Sequence, residues 1–226
     1  MKKLIKAVFF DLDNTLVDGL KCHHIANVEA FKVYGLDYEK ALMLTNNRDF
    51  FGMRMCDILA ACLNALGITD TSMLSNLMIA RERNFLRYAK ENGVILLSGA
   101  EAALKTVKEK VGIAAIVSSA TQEYIEFVLD RYRFHPYVDF IVDASDVENG
   151  KPAPDCYNKA YEMLPSEKKI TRGECLVVED AVNGVRAAEA AGMRVLLVPS
   201  RPEQDTEKLA DWTCGSLEEF TTLPFL

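Results

Sequence analysis

The residues of this chain that could do chemistry stand just after short apolar runs. Asp11-Leu12-Asp13-Asn14-Thr15 follows Lys6–Phe10, Ser118-Ser119 follows Ile113–Val117, and Glu179-Asp180 follows Cys175–Val178. Gly150-Lys151-Pro152 lies in the loop beyond another run, Phe140–Val142. Carboxylates suit a hard cation, which takes oxygen ligands. A hydroxyl can donate to the oxygens of an anion, and a lysine can neutralise charge on a group in transfer. Taken singly each has an ordinary explanation: Asp11 or Ser118 as a helix N-cap, Lys151 as a solvated turn residue. Asp11 and Asp13 would share one face of an extended segment, so a turn starting there must redirect the second carboxylate.

The elements that must position these residues are legible as a pattern. The runs above, with Val195–Val198, are continuous and rich in β-branched and aromatic residues. Such runs are expected where helices cover both faces of a parallel sheet. Helical patterns over Gln122–Tyr132, Asp155–Leu164 and Gly184–Ala191 separate the last four, and the alternation predicts a doubly wound α/β fold. Ligands in open parallel sheets sit beyond the carboxyl ends of the strands, where the chemistry-bearing residues fall. From about Val17 to Leu97 no strand is expected, only helices over Cys22–Tyr34, Asp37–Leu44, Arg54–Leu66 and Ser72–Lys90. Ile58, Leu59, Cys62 and Leu66 recur at the spacing of a buried helix face. A crossover needs only about a dozen residues. The segment 17–97 therefore reads as a helical module inserted into a core of residues 1–16 and 98–226. Val17–Gly19 would lead out, and Gly93, Ser98 and Gly99 would lead back. Met43, Met53, Met55, Met73 and Met78 in the module read as adaptable core filler.

Composition narrows the classes further. The 226 residues are 50% hydrophobic and 26% charged, a globular balance with room for one core and an insertion. The net charge of −7 and the lack of a clustered basic stripe argue against nucleic acid as the principal partner. The apolar stretch after Met1-Lys2-Lys3 ends at Asp11, too short for a signal peptide, and no segment approaches the roughly 20 apolar residues of a membrane span. Six scattered cysteines without CxxC spacing read as reduced thiols of a cytoplasmic protein. A monomer or small homo-oligomer is expected.

Four segments, in order, resemble the motifs of haloacid dehalogenase superfamily phosphatases: DLDNT (11–15), IVSSA (116–120), GKPAPD (150–155) and CLVVEDAVNGVRAAEAAGM (175–193). The resemblance covers essentially the whole chain, and it implies a Rossmann-like core with a helical cap. It also implies Asp11 as nucleophile forming an aspartyl-phosphate, and Asp13 as general acid and base. Asp13 would protonate the leaving oxygen and then deprotonate the water that cleaves the acyl-phosphate. Ser118, Ser119 and Lys151 would hold the phosphoryl oxygens. Magnesium would be held by the carboxylates of Asp11 and Asp180 and the backbone carbonyl of Asp13, with Glu179 at the edge of its shell. Asp13 and Glu179-Asp180 make dehalogenation improbable, since dehalogenating relatives need no metal and lack the second aspartate. Phosphonate hydrolysis is disfavoured, because no cap lysine can be placed for it.

Within the cap the chain is similar to the β-phosphoglucomutase and phosphoglycolate phosphatase-like branch. His23 falls where the mutases carry a histidine, although His24 adjoins it. Gly52-Met53-Arg54 resembles a glycine-led loop that reaches the substrate, and Arg83 falls near the mutases' cap lysine. Arginine is not a simple substitute for lysine at a specific contact. That departure, with Asn14 where mutases commonly have glycine, leads us to expect hydrolysis of a small phosphorylated metabolite, such as a sugar phosphate or phosphoglycolate. A phosphosugar mutase is the alternative, and a non-catalytic binding module a more distant one.

Overall fold

The structure, a computed structural model, describes residues 4–45, 50–200 and 210–223. In chain order it opens with β1 (Ala7–Phe10), β2 (Val17–Asp18), α1 (Leu20–Val33), α2 (Tyr38–Leu44), α3 (Met55–Ala65), α4 (Thr71–Asn92) and β3 (Ile95–Leu96). It continues with α5 (Ala100–Lys110), β4 (Ala114–Val117), α6 (Gln122–Tyr132), β5 (Phe140–Val142), α7 (Asp155–Glu162), β6 (Cys175–Glu179), α8 (Val182–Ala190), β7 (Arg194–Leu197) and β8 (Trp212–Thr213).

Six strands form one parallel sheet in the order β5-β4-β1-β6-β7-β8. The alternation of side chains across each strand divides the core. Val8, Phe10, Ile116 and Val178 face α5 and α6, packing with Leu104, Val107, Ile125 and Val128. Ala7, Phe9, Val117 and Val177 face α7 and α8, packing with Ala160, Val185 and Ala188. Because both faces are covered, no polar residue interrupts β1, β4 or β6 before its last position. The sheet grows from β1 to β4 and β5 on one side, then to β6, β7 and β8 on the other. The switch point, where such sheets bind ligands, thus lies at the carboxyl end of β1 between β4 and β6.

The long connection after β1 holds α1 to α4, as the helical periodicity predicts. Asp37 and Asp70 cap α2 and α4, accepting from the backbone N–H of Lys40 (3.0 Å) and Ser72 (2.8 Å). The helices bury a separate cluster that includes Phe31, Leu59, Cys62, Leu63 and Leu77. Cys22, Phe85 and Leu86 instead join the cluster beneath the sheet, so α1 and α4 also tie the module to the core. One expectation is corrected. The segment does contain strand: β2 and β3 pair antiparallel where the chain leaves and returns, Val17 opposite Leu96 and Asp18 opposite Ile95. Two-residue strands are too short to show a periodicity. No helix among the described residues is long and apolar enough to cross a membrane, and none of the six cysteines is paired.

Candidate active site

The end of β1 turns sharply. The Asp11 N–H still donates to the Val178 carbonyl at 3.0 Å, as a strand residue would. Beyond it the Leu12 carbonyl accepts from the N–H groups of Leu16 (2.8 Å) and Val17 (3.1 Å), and Asn14 sits at φ 63°. Asparagine tolerates this left-handed conformation better than most residues. The turn takes Asp13 out of the strand's alternation, as two carboxylates spaced by one residue require.

Asp11, Ser118, Lys151, Glu179 and Asp180 are all buried at the switch point. The Lys151 ammonium donates to Asp11 Oδ1 (2.7 Å), Glu179 Oε1 (2.5 Å) and the Val117 carbonyl (3.2 Å). Burial alone would pull its pKa down, but the carboxylates of Asp11 and Glu179 outweigh it and hold the ammonium charged. Glu179 is held on all sides: its Oε1 also accepts from Tyr157 Oη (2.6 Å), and its Oε2 from the Asp180 N–H (3.2 Å). A Cβ on Gly184 would lie 1.9 Å from the Glu179 carboxyl carbon, so this position of α8 has room only for glycine.

One ammonium faces three buried carboxyl groups. Burial raises the Asp11 pKa to about 8, with Glu179 and Asp13 adding to the rise and Lys151 opposing it. Asp180 moves up as well, through burial and then the charges of Asp11 and Glu179. Its Oδ2 is buried without a hydrogen-bond partner. Ligand atoms of Asp11, Glu179 and Asp180 all lie within 4.8 Å of one another. Oxygen donors, an orphaned carboxylate oxygen and more buried carboxyl groups than one ammonium can balance on ionisation together fit a divalent cation. Glu179 spends its oxygens on protein donors, which leaves Asp11 and Asp180 as the better direct ligands.

Above this cluster opens a cavity of about 850 Å³. Asp11, Asp13, Ser118, Ser119 and Asp180 line its floor, and Leu20, Phe50, Met53, Met55, Met78 and Phe85 line it from the helical module. The module's loop rests on the core. Ser119 Oγ donates to the Gly52 carbonyl (2.9 Å), and Asn183 Nδ2 to the Phe51 carbonyl (2.9 Å). Arg54 lines the cavity, but its guanidinium is engaged by Asp57 (3.0 and 3.3 Å) and by the carbonyls of Val147 (3.3 Å) and Glu148 (2.9 Å). In this arrangement it clamps module to core instead of offering a free cation to an anion.

His23, not His24, meets the acidic turn: its Nε2 lies 3.0 Å from Asp13 Oδ2. His24 faces Glu39 at 3.3 Å. The His23 ring stacks on Phe85, and its Nδ1 meets the Arg81 guanidinium. Since arginine only donates, Nδ1 accepts, and the Nε2–H is left to donate to Asp13. Arg83 is a correction. It is exposed and does not line the cavity, whereas Arg81 is buried and does. Two residues along a helix turn by about 200°, so one of the pair faces in and the other faces solvent. Two further residues escaped the sequence reading, Tyr157 on Glu179 and Tyr124, whose Oη donates to Asp13 Oδ1 at 2.9 Å. Both lie on apolar helix faces, where a tyrosine reads as core.

Comparison with known proteins agrees with this geometry. Residues 5–192 match the haloacid dehalogenase-like hydrolases. Protein CbbY of Rhodobacter capsulatus is 27% identical over 229 residues, with 96% of each chain covered. The phosphorylated carbohydrates phosphatase of Thermotoga maritima is 30% identical over 192 residues, covering 84% of this chain and 82% of that protein. Among solved structures, CbbY from Rhodobacter sphaeroides in complex with phosphate has the same fold, with a TM-score of 0.78 at 22% identity over 96% of both chains.

Proposed function

This chain belongs to the haloacid dehalogenase-like hydrolases and is a phosphatase of that family, and from that premise we propose that it hydrolyses small phosphorylated carbohydrates with magnesium, through an aspartyl-phosphate on Asp11. The observation that carries the reading is the buried set of Asp11, Lys151, Glu179 and Asp180 beneath a cavity whose floor also holds Asp13 and Ser118.

In this reading the Asp11 carboxylate attacks phosphorus and the bond to the leaving oxygen breaks. Asp13 gives that oxygen its proton. Lys151 and the Ser118 hydroxyl carry the charge of the transferred group. Asp13 next takes a proton from water. The hydroxide formed attacks the acyl-phosphate, releasing inorganic phosphate and restoring Asp11. Bound magnesium would supply charge neutralisation between the phosphate and the carboxylates of Asp11 and Asp180.

Residues 17–97 serve as the cap, which excludes bulk water while the acyl-phosphate stands. The likeness to a carbohydrate phosphatase supports the substrate class, and six unpaired thiols suit a cytoplasmic protein. His23 keeps the mutases' histidine beside Asp13, but Arg83, the residue nearest their cap lysine, is exposed and outside the cavity lining, and hydrolysis stays the reading. The test is phosphate release from a panel of sugar phosphates, glycerol phosphate and phosphoglycolate, with and without magnesium, beside Asp11→Asn. Release that needs magnesium and vanishes in the variant is expected. Release that survives both changes would overturn the reading.

A further inference from the structure

Asp13 receives hydrogen bonds from two different parts of the molecule. His23 Nε2 approaches Oδ2 from α1, and Tyr124 Oη approaches Oδ1 from α6. Tyr124 is fully buried on the stripe of α6 that also carries Ile125, Val128 and Leu129. A phenylalanine would satisfy the packing there. A buried phenol hydroxyl, by contrast, needs a partner, and this one has Asp13. The surroundings keep both groups in place. Phe85 meets the Tyr124 ring edge-on at 4.6 Å between centroids. Gly19 leaves the required space: a Cβ there would come within 2.5 Å of Asp13 Oδ1 and 3.0 Å of Tyr124 Oη.

We propose that Tyr124 is a positioning residue for Asp13, its hydroxyl fixing one carboxylate oxygen so that the group faces the leaving oxygen of the substrate. The proposal rests on the phosphatase reading above, in which Asp13 donates that proton. His23 belongs to α1 and follows the cap if the cap moves against the core. Tyr124 belongs to the core, as Asp13 does, and is the hold that persists through such a movement. The phenol itself transfers no proton in the reaction. It limits the rotation of the Asp13 side chain, and misplacing a catalytic group by about 1 Å can cost on the order of 100-fold in rate.

The test compares two esters in wild type and Tyr124→Phe. One is an alkyl phosphate that wild type turns over, whose leaving alkoxide needs a proton. The other is p-nitrophenyl phosphate, whose leaving phenolate does not. The readout is kcat/KM, which reports the steps up to departure of the leaving group. We expect Tyr124→Phe to lower it about tenfold or more for the alkyl ester and less than about threefold for the aryl ester. A partly unfolded preparation lowers both values equally and leaves their ratio unchanged, so the ratio tests the proposal even if stability suffers. An equal fall on both esters, or no fall, overturns the role of Tyr124 while leaving the phosphatase reading intact. Wild type that releases phosphate from neither ester overturns that reading, and this proposal with it.

Discussion

At the floor of the cavity one buried ammonium is shared by buried carboxylates, whereas under the cap each arginine divides its guanidinium between a carboxylate and backbone, amide or ring partners. Lys151 sits between Asp11 and Glu179 with all three buried. Arg54 spends part of its guanidinium on two carbonyls of the core, and Arg81 lies over Phe85 at 4.4 Å while bonding Asn27, Glu82 and His23. The floor is built from strand ends and first helical turns, which the sheet fixes. Of the cap arginines, Arg54 stands at the N-cap of α3 on the loop that rests on the core, and Arg81 lies on α4, which also packs Phe85 and Leu86 into the core cluster. Electrostatic catalysis requires donors preorganised in a dry site, and the floor supplies that. Selection among leaving groups asks for shape and adaptability, for which the methionines that line the cavity from the cap are suited.

The comparison breaks most severely at Lys151. Replacing it with methionine keeps the volume but leaves Asp11 and Glu179 buried without their cation. Removing one member of a buried pair costs about 3–5 kcal/mol, so denaturant unfolding of Lys151→Met should show a loss of that order. Activity should fall by about 10²–10³ or more. A variant with near-normal stability would mean that the floor is more hydrated than its burial implies.

Metal removal sharpens the same contrast. The Asp11 pKa is raised by burial to about 8, so the sign follows from a group harder to ionise in the folded protein than in the unfolded chain. Its contribution to stability is complete below the ordinary carboxylate pKa of about 4 and is lost as pH rises through about 8. Asp180 shifts in the same direction, and Lys151 stays charged throughout. With chelator present, the melting temperature should therefore fall between pH 5 and pH 8, by about 5 °C or more. Excess magnesium, which favours the ionised carboxylates, should remove most of that fall. A melting temperature indifferent to magnesium at pH 8 would argue against a metal at this cluster.

The two regions also differ in how far the sequence discloses them. Asp11, Ser118 and Asp180 announce themselves because each terminates an apolar run, and a strand buried on both faces admits polar groups only where it ends. The short strands β2, β3 and β8 give no such signal, since two residues cannot display an alternation. Tyr124 and Tyr157 occupy apolar stripes of α6 and α7, and a sequence does not reveal which ring carries its hydroxyl toward a carboxylate. Arg81 was within reach. Leu77, Phe85 and Ala89 are all buried, and steps of four residues from them land on position 81. A reading phased on that stripe would have chosen Arg81 over Arg83.

A smaller effect is expected at Arg54. Its side chain and that of Asp57 are partly exposed, at 18% and 35%, and such pairs are worth about 0–1 kcal/mol. Arg54→Ala should leave stability within about 1 kcal/mol. It should still raise KM about three- to tenfold with a modest change in kcat, because the bonds to Val147 and Glu148 hold the loop that lines the cavity. If kcat falls instead while KM holds, Arg54 would contribute to the chemical step itself, and the division between floor and cap would blur.

The smallest effect belongs to Arg83, and the neighbouring Arg81 makes it informative. Arg83 is exposed on α4 and outside the cavity lining, so Arg83→Ala should change stability by less than about 0.5 kcal/mol and kcat/KM by less than about twofold. Arg81→Ala deletes a buried guanidinium that bonds His23, Asn27 and Glu82. His23 would lose the donor that fixes its tautomer, and Nε2 would no longer be committed to donating to Asp13. The fall in kcat/KM for Arg81→Ala should therefore exceed that for Arg83→Ala by about tenfold or more. Equal effects at the two positions would mean that α4 acts through its overall charge, and that the contact between His23 and Arg81 carries nothing to the floor of the site.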